Sequence, residues 1–154
     1  MFRHQIDIAS KAPFPAGPLS NFAAHAFTLD GIACASMESF LQSLKFADAG
    51  RQTEICGYKS GKAQGFGRRQ RWQAEGILWW RGEPIERLSG AYQALLDRAY
   101  EALFAQSAAF REARAATGDA ELVHTMGRIY PANTVLTADE FCSRLTALRA
   151  RLRT

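Results

Sequence analysis

The chain has 154 residues, a net charge of +4 and a composition in which 47% of residues are hydrophobic and 22% charged. This length fits one domain with one core, residues 1–154, and argues against two independent cores. The sequence contains no apolar run long enough to span a bilayer and no basic-then-apolar leader, so we expect a soluble protein of the cytoplasm.

The thiol and imidazole side chains are few and scattered. None of them forms a CxxC pair, a zinc-binding spacing or an i,i+4 pair of histidines. We therefore expect reduced thiols and a site without metal. The residues concerned are Cys34, Cys56, Cys142, His4, His25 and His124.

Positive charge is concentrated in two stretches, residues 67–71 and the C-terminal residues 144–153. A basic balance suits anionic partners such as phosphates or nucleic acid. Nucleic-acid binding is thus one hypothesis, although it rests on charge alone and a solvated helix face explains the C-terminal arginines equally well.

The N-terminal part is predicted to hold a small β element. Residues 2–9 alternate apolar and polar side chains, which is typical of an edge strand. Residues 27–29 and 32–34 are short apolar runs on either side of Asp30-Gly31, a pair that favours a tight hairpin turn because both residues tolerate positive φ.

A helix is predicted from Met37 to Asp48, with Ser36 as its N-cap. Apolar residues recur along it at i, i+3, i+4 and i+7 and would face the core. Glu38, Gln42 and Lys45 form a second stripe, roughly 100° around the helix from the first. This polar stripe borders the buried face, where the wall of a pocket would lie.

The Gly-rich and cationic stretch that follows, residues 57–72, is predicted to be a loop with a short helix. Its "GYKSGKA" resembles a phosphate loop only superficially. It has too few residues between glycines, no Ser or Thr after Lys62 and no preceding strand, and we reject that interpretation.

Helices account for most of the remaining chain. The patterns predict one from Pro84 to Phe104, one over residues 107–116 that stops at Gly118, and a short one capped by Asp119 and reaching Val123. Thr137 and Glu140 form a capping box that starts a last helix. The predicted fold class is α+β, predominantly helical, with a small β element near the N-terminus.

Each candidate for chemistry also has an ordinary structural explanation. Glu38 suits the start of a helix because of the helix dipole, Asn21 suits a turn, Arg68 suits solvent, and the Trp79-Trp80 pair suits the core. The stripe changes this balance for Glu38, because an acid, an amide and an ammonium group converge on one wall. A carboxylate there could act as base or nucleophile, while Lys45 keeps it ionised or meets a phosphate.

A set of motifs in fixed order carries a resemblance to a known family. The set comprises "PLSNF", "F-x-x-DG", "S-x-E-x-x-x-Q-x-x-K-F", "GR", a tryptophan before a long helix, and "ATGDAELV". Together they make the chain similar to the NADAR/YbiA-like family of N-glycosidases, from about Gly17 to the C-terminal helix. The resemblance is strongest over residues 19–46 and 117–123.

The resemblance implies a compact YbiA-like α+β domain that hydrolyses N-glycosidic bonds to ribose derivatives. Its substrate would be a phosphorylated riboside, such as an intermediate of riboflavin biosynthesis, or an ADP-ribose adduct of a nucleobase, including ADP-ribosylated nucleic acid. A membrane partner is not implied. Cleavage develops oxocarbenium character at C1′ and negative charge on the base, and it requires no redox cofactor and no metal.

The resemblance also implies roles for individual residues. Glu38 would be the key acidic residue, steering water to C1′, stabilising the cation or attacking it, with Asn21 and Lys45 as its catalytic neighbours. The implied substrate-binding residues are Ser20, Phe22, Gln42, Lys62, Gly67, Arg68, Trp80, Tyr130 and Asn133.

One region departs from the family pattern. Relatives carry a tryptophan-glycine pair after the "TG…LV" segment, where this chain reads "VHTMGRIYPAN". Tyr130 and Asn133 are predicted to replace those contacts. The alternative to an enzyme is a catalytically silent module that binds ADP-ribose or a nucleotide, and this altered region favours it.

Overall fold

The protein is described from a computed structural model, which covers residues 4–152. This part of the chain forms six short strands and seven helices. The strands are β1 (Gln5–Asp7), β2 (Phe27–Leu29), β3 (Ile32–Cys34), β4 (Ile77–Trp80), β5 (Glu83–Glu86) and β6 (Glu121–Val123). The helices are α1 (Ala16–Leu19), α2 (Met37–Ser43), α3 (Ala49–Gly57), α4 (Ser60–Gly67), α5 (Gly90–Gln106), α6 (Ala108–Ala116) and α7 (Ala138–Leu152).

The strands pair into three two-stranded sheets. β2 pairs with β3 and β4 with β5, both antiparallel, whereas β1 pairs with the distant β6 in parallel. The predicted class, α+β and predominantly helical, is confirmed. No helix within residues 4–152 is long and apolar enough to cross a membrane.

Helix α5 is the centre of the core. It buries one face, including Tyr92, Leu96, Ala99 and Tyr100, against β2, α6 and α7. Full burial of one such aliphatic or aromatic side chain contributes about 1.5–3 kcal/mol. A 17-residue helix with this buried face therefore supplies a rigid support for the loops that cross it.

Several local predictions are confirmed. The β2–β3 hairpin turns at Asp30 and Gly31, both with positive φ. Ser36 caps α2 by accepting a hydrogen bond from the Ser39 amide. The helix over residues 108–116 is present as α6. The predicted edge strand is reduced to β1, and its residues 2 and 3 lie outside the described residues.

The capping box at the start of α7 is also confirmed. The Glu140 amide donates to Thr137 Oγ1 at 3.1 Å, and the Thr137 amide donates to Glu140 Oε1 at 2.8 Å. Two orphan donors at the helix start are thus satisfied reciprocally. Helix α7 consequently begins at a fixed point beside the loop that precedes it.

The prediction of a helix from Pro84 to Phe104 is wrong in its first part. Residues 83–86 form β5, joined to β4 by a tight turn at Arg81 and Gly82, both with positive φ. Pro84 is tolerated because a two-stranded sheet has only edge strands. The helix begins later, where Ser89 accepts a hydrogen bond from the Tyr92 amide.

The short helix predicted from Asp119 to Val123 is wrong as well. Residues 121–123 form β6, and Leu122 pairs with Ile6 of β1. Two further backbone bonds extend this pairing, from the Ile8 amide to the Val123 carbonyl and from the Glu121 amide to the His4 carbonyl, each at 2.8 Å. Long-range pairing with the N-terminal strand overrides the local helical pattern.

The helix predicted from Met37 to Asp48 is too long, because α2 ends at Ser43. Asp48 instead caps a separate helix, α3, by accepting a hydrogen bond from the Arg51 amide. The short helix predicted in the Gly-rich stretch is present as α4. Lys45 therefore lies in the turn after α2, not within the helix.

Candidate functional site

A polar cavity of about 470 Å³, here called the main cavity, lies between α2, the end of α4 and the loop of residues 124–137. It gathers six residues that the sequence had marked as candidates. Those residues are Asn21, Glu38, Gln42, Lys45, Arg68 and Asn133. Their functional roles stay predictions, but their convergence on one cavity is a feature of the fold.

Helix α2 supplies the acidic wall of the main cavity. Glu38 and Gln42 are four residues apart and share a helix face, and Gln42 Nε2 donates to Glu38 Oε1 at 2.8 Å. The other amide atom of Gln42, Oε1, is buried and has no hydrogen-bond partner within residues 4–152. Gln42 thus fixes the orientation of the Glu38 carboxylate.

The environment of Glu38 alters its acidity. Burial raises the pKa of this carboxyl, while the hydrogen bond from Gln42 and the charge of Lys45 oppose the rise. A carboxylate held this way takes up a proton more readily than an exposed one. It is therefore suited to accept a proton from a bound water molecule.

Gly67, at the end of α4, lies against the side chain of Gln42. A Cβ atom at residue 67 would lie 1.9 Å from Gln42 Oε1 and 2.8 Å from its Cδ, so any side chain there would displace the Gln42 amide. The Gly67 carbonyl also faces Lys45, whose Nζ lies 3.4 Å away. The glycine of the "GR" motif thus leaves room for the Gln42 side chain of α2.

Three cations share the main cavity with Glu38, namely Lys45, Arg68 and Arg128. Burial lowers the pKa of Lys45, and the charges of Arg128 and Arg68 lower it further, while Glu38 opposes this. Arg68 donates to Gln64 Oε1 at 3.3 Å and is otherwise exposed. The positive charges outnumber the carboxylate, which makes the cavity attractive to an anion such as phosphate.

Asn21 is held next to Glu38 by hydrogen bonds to its backbone and to its side chain. Its carbonyl accepts from the Glu38 amide at 2.9 Å, and its Oδ1 accepts from the buried Tyr100 hydroxyl at 2.6 Å. The neighbouring Phe22 carbonyl accepts from Ser60 Oγ of α4 at 2.9 Å. With Oδ1 occupied, the donor nitrogen Nδ2 of Asn21 is left to contact a ligand.

A smaller cavity of about 220 Å³, here called the side cavity, adjoins the main one. Ser20 and Phe22 line it, and Asn21, Glu38 and His124 line both cavities. Ser20 Oγ accepts from the Phe22 amide at 3.1 Å, which is a local turn interaction. Ser20 and Phe22 therefore flank the Asn21–Glu38 pair without entering the main cavity.

Four predicted substrate-binding residues line neither cavity: Gly67, which packs against Gln42, and three residues that lie farther away. Trp80 is buried in the core, where its ring packs edge-on against Phe40 and its Nε1 donates to Asp30 at 2.8 Å. Lys62 places its Nζ 4.0 Å from the ring centre of Tyr58, on the outer face of α4. Tyr130 is exposed on the 124–137 loop and lines neither cavity.

The residues of the main cavity that the sequence patterns did not identify include Trp72, His124, Arg128 and Phe141. Trp72 is a buried tryptophan after the basic stretch, and its position after "GRRQR" was the available signal. His124 and Arg128 follow β6, whose pairing with β1 the local pattern did not reveal. Placing β6 beside β1 would have brought both residues to the cavity.

The buried side chain of Arg87, which is 2% exposed, anchors the loop of residues 124–137. Arg87 Nε donates to the Thr134 carbonyl at 2.8 Å, and the guanidinium forms a bidentate pair with Glu140 at 3.0 and 2.5 Å. The Tyr92 hydroxyl donates to the Val135 carbonyl at 2.5 Å. These bonds fix the wall of the main cavity that faces α2.

The side chains at the site offer anion and proton chemistry more readily than metal ligation. Within residues 4–152, no group of three or more His, Cys, Asp and Glu side chains is arranged to hold a metal ion. The main cavity is instead lined by a single hydrogen-bonded carboxylate, one imidazole and three cations, which can bind an anion and transfer a proton.

Known proteins resemble the chain in sequence and in fold. A phage T4 protein, described as an uncharacterized 17.1 kDa protein in the Gp30-rIII intergenic region, is 35% identical over 150 residues, which cover 96% of this chain and 99% of that protein. The NMR structure of the E. coli protein YbiA superimposes with a TM-score of 0.68 at 23% identity, over 99% of this chain and 87% of that one.

These comparisons bear on the predicted fold and on the family of the chain. The structural match confirms the predicted YbiA-like fold, and at this identity it speaks for the fold alone. The sequence model of the family called bacteriophage protein GP30.3 matches residues 13–150, which include the Asn21 loop, α2, α4 and the 124–137 loop. The chain therefore belongs to the bacteriophage GP30.3 family, with the fold of YbiA.

Proposed function

We propose that the protein is an N-glycosidase that hydrolyses the bond between a base and the ribose of a phosphorylated riboside or of an ADP-ribose adduct. One observation carries this proposal. The Glu38 carboxylate lies in a cavity of about 470 Å³ whose other charged side chains are the cations Lys45, Arg68 and Arg128. A ribose phosphate offers the complement of that arrangement, with an electrophilic carbon and an anionic group on one small molecule.

The cations would bind the phosphate groups. Arg68 at the end of α4 and Arg128 on the 124–137 loop approach the cavity from different elements, and Lys45 lies deeper between them and Glu38. Charge-assisted hydrogen bonds from arginine to phosphate are short and directional. The phosphate end of the substrate would therefore lie toward α4, and the ribose would lie toward α2 and Asn21.

Glu38 would act at C1′. Cleavage gives the ribose oxocarbenium character, which a nearby carboxylate stabilises, and a water molecule then adds to C1′ while Glu38 takes its proton. The raised pKa of Glu38 suits the second task, because it makes the carboxylate a stronger base. Covalent attack by Glu38 is the other possible route, and the two differ in the stereochemistry of the product.

Asn21 and Gln42 would orient the reacting groups. Gln42 holds the Glu38 carboxylate through one oxygen, which leaves the other oxygen for water or ribose. Asn21 Nδ2 would donate to a ribose hydroxyl, since the bond from Tyr100 to Oδ1 fixes the amide and leaves Nδ2 available. Trp72 and Phe141 provide the apolar surface of the main cavity against which a base would pack.

A substrate panel with matched variants tests the proposal. Wild type, Glu38→Gln and Glu75→Gln are incubated with ADP-ribosylated DNA, NAD-derived ribosides and a riboflavin-pathway riboside, and the released base is measured. Glu75 is an exposed glutamate outside both cavities, so its variant controls for loss of a carboxylate elsewhere. We expect turnover of at least one substrate by wild type and by Glu75→Gln, and a loss of 100-fold or more (~2.7 kcal/mol) in Glu38→Gln.

Two outcomes would contradict the proposal. Equal activity of Glu38→Gln and wild type would exclude a charged catalytic role for Glu38. Absence of turnover by folded wild type, combined with binding of the same ligands, is the result expected from the alternative, a catalytically silent module that binds ADP-ribose or a nucleotide. Isothermal titration with ADP-ribose separates that module from a protein with no affinity for such ligands.

A further inference from the structure

His124 occupies a position that the proposed mechanism does not yet use. It follows β6 directly and lines the main cavity and the side cavity, as Glu38 and Asn21 do. It is the one imidazole that lines the main cavity within residues 4–152. A half-buried histidine on the same cavity as a carboxylate can act there as a proton donor or acceptor.

The ring of His124 is held by three contacts. Its Nδ1 lies 2.6 Å from the Ile8 carbonyl oxygen, and its ring makes a T-shaped contact with Phe141 at 5.4 Å between ring centres. The backbone of Gly127 lies so close to the imidazole that a Cβ at residue 127 would be 2.6 Å from His124 Cδ2. The ring is therefore fixed by Ile8, the residue that follows β1, by Phe141 of α7 and by its own loop.

The bond to Ile8 determines which nitrogen can exchange a proton. A carbonyl oxygen only accepts, so Nδ1 must carry a hydrogen to make this bond. The remaining nitrogen, Nε2, has no hydrogen-bond partner within the described residues 4–152. Nε2 is thus the atom that gains or loses a proton, in the same way that a fixed second nitrogen sets the tautomer of other functional histidines.

We infer that His124 is the general acid that protonates the departing base, and that the substrate is accordingly a riboside whose base leaves as an anion unless it is protonated. This inference rests on the proposed N-glycosidase function. It favours ribosides of neutral nucleobases and nucleobase adducts over pyridinium ribosides, because a pyridine base leaves as a neutral molecule and needs no acid.

The proposed step is balanced in atoms and electrons. The C1′–N bond breaks and its electron pair goes to the base nitrogen, which takes the proton from His124 Nε2. A water oxygen forms the new bond to C1′, and the proton lost from that water goes to Glu38. Solvent then returns one proton from Glu38 to His124, so that riboside and water give free sugar and neutral base.

The groups around His124 are compatible with this role. Asp7 of β1 is close enough for the His124 charge to lower its pKa slightly, although hydrogen bonds from Thr125 are the main cause of that shift. Phe141 of α7, which packs against the His124 ring, carries no charge. Burial keeps the pKa of Tyr100 well above its usual range, so the Tyr100 hydroxyl also stays neutral. The other charged groups around the main cavity are Glu38, Lys45, Arg68 and Arg128.

Two variants and two classes of substrate test the inference. His124→Asn keeps an amide nitrogen for the Ile8 carbonyl but removes the titrating nitrogen, and His4→Asn changes an exposed histidine as the control. Each protein is assayed on a neutral-base riboside phosphate and on nicotinamide riboside phosphate. We expect His124→Asn to lose about 100-fold or more in kcat on the neutral base, with unchanged KM and little change on the pyridinium substrate.

The pH profile gives a second readout. A general acid must be protonated to act, so the profile of kcat/KM against pH on the neutral base should have an alkaline limb in wild type that is absent in His124→Asn. Equal losses of His124→Asn on both substrates, or an unchanged alkaline limb, would overturn the inference while leaving the N-glycosidase function intact. Absence of any turnover by wild type would overturn the proposed function itself, and this inference with it.

Discussion

The side chain of Gln42 occupies the space that a side chain on Gly67 would need, since a Cβ at residue 67 would lie 1.9 Å from Gln42 Oε1. The same Gln42 donates to Glu38 Oε1 at 2.8 Å. The contact between α2 and α4 thus positions the carboxylate through Gln42. Substitutions at residue 67 should consequently act on Glu38 without touching it.

Gly67→Ala should destabilise the protein and reduce its activity. Forcing a methyl group into a filled site costs roughly 1–3 kcal/mol, and displacement of Gln42 would release Glu38. Gly65→Ala is the control, because a Cβ there meets no atom within 4 Å and alanine is the better helix former. Chemical denaturation measures the free energy of unfolding of both variants. A Gly67→Ala protein as stable as Gly65→Ala would contradict the packing argument.

Glu38→Gln should raise stability, and by more at higher pH. Burial raises the pKa of Glu38, so the folded state holds this proton more tightly than the unfolded state does. The stability linked to that proton is present below the ordinary carboxyl pKa and is lost as the pH rises through the raised value, whereas glutamine stays neutral. We expect a gain of roughly 0.5–2 kcal/mol at pH 8 that shrinks toward pH 4. Thermal melts from pH 4 to pH 8 measure the stability of both proteins, and Glu75→Gln serves as the control. A stability gain of Glu38→Gln that did not change with pH would contradict the prediction.

Tyr100→Phe should impair the orientation of Asn21. The hydroxyl of Tyr100 is buried and donates to Asn21 Oδ1 at 2.6 Å, so its removal leaves the amide free to turn. We expect a loss of about 1 kcal/mol in stability and a lower kcat/KM for the ribosyl substrate. Tyr58→Phe, whose hydroxyl donates to Glu54 at the surface, should change neither. Full activity in Tyr100→Phe would show that Asn21 needs no such support.

Arg68→Gln should weaken binding of phosphorylated substrates only. Arg68 lines the main cavity, whereas Arg69 stacks its guanidinium near Phe66, 5.8 Å from the ring centre, on another face of the chain. Loss of a phosphate contact should raise KM about tenfold, equivalent to ~1.4 kcal/mol. Arg69→Gln removes the same charge and should leave KM unchanged. Equal effects of the two variants would mean that general charge, not a phosphate contact, governs binding.

Arg87→Met should be the most destabilising of these changes. Arg87 is 2% exposed, and its loss leaves Glu140 without its bidentate partner and frees the Thr134 carbonyl. Breaking a buried ion pair from one side costs about 3–5 kcal/mol. The exposed pair of Arg98 with Asp30 is the comparison, and Arg98→Met should cost no more than about 1 kcal/mol. Similar denaturation midpoints for the two variants would contradict the role of Arg87 as an anchor.

The parts of the site that the sequence predicted are those set by local spacing. Glu38 and Gln42 lie on one wall because residues four apart share a helix face, and Ser36 marks where that helix begins. Thr137 and Glu140 could be paired for the same reason. These relations span only a few residues, so no tertiary contact was needed to find them.

The parts that were missed depend on pairing between distant segments. The helix predicted from Pro84 to Phe104 rested in part on the helical spacing of Ile85 and Leu88, which predicts that both are buried. In the structure Leu88 is 74% exposed and Ile85 belongs to β5. Likewise, β6 was predicted as helix because its partner β1 lies more than a hundred residues earlier in the chain. His124 reaches the cavity only through that pairing, which local propensity does not encode.

The parallel pairing of β1 with β6 also has a consequence for the order of folding. Ile8 must meet His124 and Val123 before the cavity is closed, and such contacts between distant segments form late because a long loop must first be ordered. Residues 124–137 form one wall of the main cavity, so the site is incomplete until this segment is in place. Under the proposed function, hydrolysis of a riboside would therefore require the segment around residue 124 to be in place.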